Sequence, residues 1–129
     1  MATFALYELA INHDIQVRLR TEIEQVLAKY NGEVTYESLI EMKYLDMVFN
    51  ETLRKYPVVD TQFRNCSKDF KIPNSKLVIP KDSMIILATH AMHHDERFYE
   101  EPSKFDPERF TDENLKKRHP FCYIPFSKF

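Results

Sequence analysis

Glu51 and Arg54 are the residues in this sequence whose types and spacing most clearly suggest a specific interaction. Three positions apart on a helix they share a face, so a carboxylate and a guanidinium can pair. On a solvated surface such a pair adds little. These two, however, lie beside Phe49 and Leu53 on a strongly apolar helix, and a buried ion pair needs further partners to offset its desolvation. Arg109 is a candidate partner. It sits in Phe105-Asp-Pro-Glu-Arg-Phe110, where two aromatic anchors and Pro107 would fix a turn. One carboxylate between two guanidiniums permits planar, forked hydrogen bonding.

Other residues offer chemistry with less support. His90 and His94 have the spacing of a two-histidine metal site on a helix, with His93 adjacent, but no Glu stands between them in the metalloprotease position. Glu100 and Glu101 form no catalytic carboxylate pair, because nothing fixes them in space. Ser67 and Ser75 lack the flanking pattern of a nucleophile elbow. Cys66 and Cys122 are two widely separated thiols, expected to be free in a reducing compartment rather than part of a disulfide framework or a metal cage. Gly32 is the only glycine. That excludes a dinucleotide fingerprint or a phosphate loop, both of which need several glycines for close backbone approach.

The elements that must carry these residues follow from periodicity. Phe4, Leu6, Leu9 and Ala10 have helical spacing, and Asn12-His13-Asp14 interrupts it. Asp14 is the expected N-cap of a helix over Ile15–Tyr30, whose face is Ile15, Leu19, Ile23, Val26, Leu27 and Tyr30. Asn31-Gly32 is a natural stop. Thr35 caps a short helix to about Glu41, and Tyr44–Leu53 continues as an amphipathic helix that Pro57 ends. Runs around Asp69–Ile72, Lys76–Ile79 and Ser83–Ala88 predict short strands joined by turns, with Ala88–His94 finishing as a helical turn. From Asp95 onward, Pro102, Pro107, Pro120 and Pro125 predict loop and single turns, a long irregular stretch of a kind uncommon in a self-sufficient domain.

The bulk numbers bound the rest. A chain of 129 residues is enough for one domain, treated as one partial domain over residues 1–129, and 43% hydrophobic with 29% charged residues is a globular balance. A net charge of −2 gives no reason to expect a nucleic-acid partner. The 10 Phe and 7 Tyr are a heavy aromatic load for a chain with no Trp, implying a large core or an aromatic surface that meets something else. Met1–Ala10 is apolar but far short of the roughly 20 residues of a membrane span, and it lacks the basic region and cleavage site of a signal peptide.

The order of these segments resembles the cytochrome P450 family. Glu51-Thr-Leu-Arg54 resembles the ExxR motif of its K helix, and Phe105-Asp-Pro-Glu-Arg-Phe110 its PERF motif. Tyr7-Glu-Leu-Ala10, followed by Gln16 and Leu19-Arg20-Thr-Glu22, looks like the end of the I helix and the J helix. Tyr44-Leu45-Asp46 before the first motif and His94-Asp95 before the second also match. The likeness covers essentially the whole chain and is nearest to insect microsomal P450s of the detoxifying type.

The resemblance implies a mainly α fold with a small β-sheet portion, a partial P450 fold running from the end of the I helix to the meander. It makes Glu51, Arg54 and Arg109 a structural triad and gives Arg64 a haem propionate, which suits a fixed, always-charged fork opposite a carboxylate. Val58–Phe63 resembles a substrate-recognition segment, with Val59, Thr61 and Gln62 as pocket residues. Phe121-Cys-Tyr-Ile-Pro-Phe126 looks like the lead-in to the haem-binding loop. The family continues Phe-x-x-Gly; after Phe126 come Ser127 and Lys128, and then Phe129 stands where a glycine is expected. The axial cysteine is expected beyond Phe129, Cys122 is not its substitute, and no catalytic or metal-ligating residue is assigned within the chain.

For the intact parent the resemblance implies haem b, oxidation of lipophilic small molecules with O2, electrons from NADPH-cytochrome P450 reductase, and the cytosolic face of the endoplasmic reticulum membrane, held by an anchor upstream. The chain alone is expected to be inactive and to bind haem poorly. The alternative is a truncated, non-catalytic interaction domain.

Overall fold

The computed structural model describes residues 1–126. Its elements are α1 (Ala2–Ile11), α2 (His13–Lys29), α3 (Tyr36–Glu41), α4 (Lys43–Lys55), strands β1 (Gln62–Asn65), β2 (Phe70–Lys71), β3 (Val78–Ile79) and β4 (Met84–Leu87), then α5 (Thr89–His93), a 3-10 turn over Pro107–Phe110, α6 (Asp112–Lys117) and a second 3-10 turn over Pro120–Cys122. The mainly helical expectation with a small sheet portion holds. The expectation placed on Phe129 lies outside the described residues.

The helices start and stop for legible reasons. Thr35 and Ser38 cap α3 reciprocally, Ser38 N donating to Thr35 Oγ1 at 3.1 Å and Thr35 N to Ser38 Oγ at 2.8 Å. Asn31 and Gly32 both turn left-handed, at φ 54 and 81, and end α2. The start of α2 differs from expectation. Asn12, not Asp14, stands at the N-cap position, leaving Asp14 in the first turn. A single residue joins α1 to α2, and its side chain bonds back to Glu8 O at 2.8 Å instead of capping forward. The N-terminus of α4 is capped from another helix: the Glu22 carboxylate accepts from Tyr44 N at 2.7 Å and Leu45 N at 2.9 Å. An anion there satisfies orphan N–H groups and meets the positive end of the helix dipole.

Ile15 and Leu19 of α2, Tyr44 and Val48 of α4, and Phe105 make the apolar core, with Leu9 and Ile23 packed against it. The sheets are small. β1 pairs antiparallel with β4 in the register Gln62↔Leu87 to Asn65↔Met84, and β2 with β3. The proline-rich tail holds more structure than expected. Thr111 accepts from Asn114 N and caps α6, a full helical turn with Asp112 and Glu113 in its first turn.

Candidate functional site

The geometry centres on the last turn of α4. Glu51 and Arg54 are both 0% exposed. Arg54 Nε donates to Glu51 Oε2 at 2.7 Å and Arg54 Nη2 to Glu51 Oε1 at 2.9 Å, a bidentate fork. Arg54 also donates to backbone carbonyls: Nη1 reaches His93 O at 2.9 Å, and Nη2 reaches Pro102 O at 2.8 Å and Lys104 O at 3.3 Å. Glu51 Oε1 also accepts from Asp106 N at 2.8 Å.

Arg109 arrives from the 3-10 turn over Pro107–Phe110. Its Nε stands 3.6 Å from Glu51 Oε1, an ion-pair distance rather than a hydrogen bond, while its Nη2 donates to Glu101 O at 3.1 Å. The three charged residues are thus brought together, Arg54 as the close partner of Glu51 and Arg109 as the outer one. Burial raises the Glu51 carboxyl above its usual range, opposed by the hydrogen bonds and charge of Arg54, the Asp106 N–H and Arg109. The assembly fastens α4 to the loop that begins at Pro102 and to the turn at Pro107. Its chemistry is that of a lock: no face of Glu51 or Arg54 is open to a ligand.

His93 extends this lock. Its carbonyl accepts from Arg54, and its Nδ1 faces Arg54 O at 3.2 Å, so the two residues bond reciprocally. On the other side of the ring, Nε2 accepts from Ile124 N at 3.1 Å. Burial pushes the imidazole down to about 4. Three other side chains hold the same terminal segment. Tyr99 OH donates to Cys122 O at 3.0 Å, Tyr123 OH to Asn50 Oδ1 at 2.9 Å, and Gln62 Nε2 to Ile124 O at 2.9 Å. Tyr123 also packs edge-on against Phe110 and stacks on His93.

Sequence reasoning passed over His93, Tyr99 and Tyr123. The signals were weak: one histidine among three in Thr89-His-Ala-Met-His-His94, and two tyrosines in loops. It also passed over Glu8, a buried carboxylate on α1 that accepts from Tyr56 OH and pairs with Lys55 Nζ at 2.8 Å. Burial, then the hydrogen bond to Glu8, raises the Tyr56 phenol well above its usual range.

The remaining expected residues lie elsewhere. Arg64 is on β1, half-buried, with Nη1 donating to Phe63 O at 2.7 Å. Val59 is 46% exposed in the loop between α4 and β1, and Thr61 is half-buried beside it. Gln62 is buried, its amide nitrogen also 3.2 Å from Thr89 Oγ1, and its Oε1 has no hydrogen-bond partner among the described residues. His90 and His94 stack with centroids 4.2 Å apart, and His94 Nδ1 is engaged by His90 O at 3.0 Å. The rings therefore lie flat on one another rather than converging, and no cluster of three or more metal-ligating side chains occurs among the described residues.

A haem needs a cation for its propionates and a ligand for its iron. The described residues fit the first: Arg64 is a permanently charged fork on a strand. They do not fit the second. The buried Cys66 thiol donates to Lys68 O at 2.9 Å. Burial pushes the Cys122 thiol up, against formation of a thiolate.

Comparison with known proteins identifies the family. The family model for cytochrome P450 matches residues 2–128. The chain is 50% identical over 126 residues to the probable cytochrome P450 6a13 of Drosophila melanogaster, covering 98% of this chain and 26% of that protein. It is 50% identical over 125 residues to cytochrome P450 6B1 of Papilio polyxenes, covering 97% and 25%. It is 45% identical over 126 residues to cytochrome P450 6j1 of Blattella germanica, covering 98% and 25%. The chain spans about a quarter of the length of the curated relatives it matches.

Proposed function

This chain belongs to the cytochrome P450 family, and from that premise we propose that it is the part of a haem-thiolate monooxygenase that fastens the K helix to the segment leading to the iron. The observation that carries the proposal is the buried fork of Arg54 on Glu51, with further Arg54 N–H groups on the carbonyls of His93 in α5 and Pro102 in the following loop. A charged pair this deeply enclosed serves as a rigid frame.

Bound haem would supply oxygen activation through its thiolate-ligated iron. The residues of this chain do the positioning. Arg64 would hold a propionate by a charge-assisted hydrogen bond. Val59 and Thr61, in the loop that precedes β1, would face a lipophilic substrate; that loop is held to α5 by His90 N donating to Asp60 O at 3.0 Å. Gln62, on the same side of β1 as Arg64, would back that wall from within. The parent protein would take electrons from NADPH-cytochrome P450 reductase and work at the cytosolic face of the endoplasmic reticulum membrane. No helix among the described residues is long and apolar enough to cross a membrane.

The 129-residue chain alone would not activate oxygen, because both of its cysteines are interior thiols. A reduced, CO-bound difference spectrum tests both parts. A protein of the relatives' full length that contains this chain should show the thiolate-type Soret band, and the 129-residue chain mixed with haemin should not. A band from the short chain would overturn its inactivity. No band from the long protein, with haem bound, would overturn the monooxygenase reading.

A further inference from the structure

Ile124 is held by both of its backbone groups at once. Its N–H donates to His93 Nε2 at 3.1 Å, and its C=O accepts from Gln62 Nε2 at 2.9 Å. The two side chains come from α5 and β1, elements separated by more than 20 residues of sequence, and each engages one backbone group of Ile124. The contacts also decide the proton on the imidazole. A nitrogen that accepts from a backbone N–H carries no hydrogen, so Nε2 is bare. Nδ1, 3.2 Å from the Arg54 carbonyl, is then the protonated nitrogen and donates to it. Arg54 returns a hydrogen bond through Nη1 to the His93 carbonyl.

We propose that His93 is a positioning residue that, in its Nδ1–H form and together with Gln62, sets the placement of Cys122–Ile124 by relaying the Glu51–Arg54 lock onto the backbone of Ile124. Within the monooxygenase reading, on which this last step rests, Cys122–Ile124 is the approach to the iron-ligating loop, and the relay fixes where that loop begins. A packing histidine would fill the same space with either tautomer. The relay requires one tautomer, with one arm on each side of the ring.

The test uses the 129-residue chain, 15N-labelled and free of haem, so it is independent of the CO spectrum. The imidazole nitrogens of His93 should report Nδ1 protonated and Nε2 bare. The Ile124 amide should be protected from hydrogen exchange. His93→Asn keeps a donor near Nδ1 and removes the acceptor at Nε2, so Ile124 exchange should rise by about tenfold or more, the effect of losing one buried hydrogen bond, while Val48 in α4 keeps its protection. His93→Gln keeps an acceptor near Nε2 and should restore Ile124 protection to within about threefold of the parent chain. Gln62→Met frees the carbonyl of Ile124, along with Thr89 Oγ1, leaves the Ile124 N–H on His93, and should loosen the same amide by a smaller factor.

A protonated Nε2, an unprotected Ile124 amide in the parent chain, or equal exchange in His93→Asn and the parent would each overturn the relay. Should His93→Asn lose protection at Val48 as well, the tautomer and the Gln62→Met variant still decide. A relay that stands beside an absent thiolate band in the long protein leaves the positioning role and removes the haem reading. The opposite pair of results removes the relay alone.

Discussion

The last turn of α4 and the β2–β3 hairpin place opposite kinds of side chain where they are least expected. Around α4 the interior is charged: Glu51, Arg54 and His93 are all fully enclosed. In the hairpin the surface is apolar, with Phe70, Leu77 and Val78 all exposed. Buried charge is tolerable only when every donor and acceptor is met, and around Glu51 and Arg54 nearly all are. The hairpin is organised by its backbone and by short polar side chains at its turn and base, Leu77 N donating to Ser75 Oγ at 2.9 Å and Lys81 N to Asp69 Oδ1 at 2.8 Å. Ile72 N donates to Leu77 O at 3.0 Å, Asn74 takes the left-handed turn at φ 57, and two residue pairs complete the ladder. Enclosure makes each polar side chain near α4 irreplaceable, while exposure leaves each apolar side chain of the hairpin nearly free of energetic consequence.

Removing one partner of the lock should have the largest effect. Glu51→Ala leaves Arg54 and Arg109 buried without a counter-charge, and Asp106 N without its acceptor. A loss of about 3–5 kcal/mol is expected, measured as the shift in urea-unfolding free energy of the 129-residue chain. That is a large fraction of the roughly 5–15 kcal/mol that holds an ordinary domain together. Replacing Glu51 and Arg54 together by apolar residues is often benign for a simple buried pair. Here it should not be, because Arg54 also serves the carbonyls of His93, Pro102 and Lys104. A double variant as stable as the parent would reduce the region to an ordinary apolar core, and the contrast with the hairpin would disappear.

Acid should act next most strongly, and on the same region. His93 titrates near 4 in the folded chain, against 6.5 for an unperturbed histidine. Its folded pKa is depressed, so between about pH 6.5 and 4 the unfolded chain binds the proton and the folded chain does not. Stability therefore falls as pH falls through that window, by about 3 kcal/mol in all. His94 is also lowered by burial and carboxylates titrate nearby in pH, so the measurement is the difference between the parent and His93→Gln. The variant should be less stable at pH 7, and the gap should close or reverse by pH 4. A gap that stays constant with pH would mean that His93 is not shielded as its burial implies.

What the sequence disclosed divides along the same line. Glu51 and Arg54 were legible because helical spacing puts them on one face, and Arg109 because its motif makes a turn. The carbonyls that receive Arg54 were not, since their direction is set by the path of the loop and not by side-chain type. Gln62–Asn65 was not legible as a strand from residue pattern: it lacks β-branched residues, and its partner β4 lies some 20 residues on. Thr111 ahead of two acidic residues fits a helix start, but the surrounding prolines led to an expectation of loop and single turns there. His93 was read only as a neighbour of two possible metal ligands, because a buried acceptor role depends on Ile124, which nothing in the local sequence brings near. Glu8 and Glu22 were missed for the same reason: their partners Tyr56, Tyr44 and Leu45 sit on, or just past the end of, a different helix.

The smallest effect should come from the hairpin. Val78→Thr keeps the β-branched shape that suits β3 and exchanges an exposed methyl for a hydroxyl. The backbone ladder, Phe70 opposite Ile79 and Lys71 opposite Val78, is unchanged by it. With half of Val78 already in water, the expected change in unfolding free energy is within about 0.5 kcal/mol, measured at several protein concentrations. Concentration is the informative variable. If Val78 meets only solvent, the small change is the same at every concentration. If the apolar hairpin is covered in solution by a second copy of the chain, the parent becomes more stable as concentration rises and the threonine variant does so less, by mass action. That result would relocate the hairpin from free surface to interface. Val78 would then behave like the enclosed residues of α4, with its effect set by what covers it.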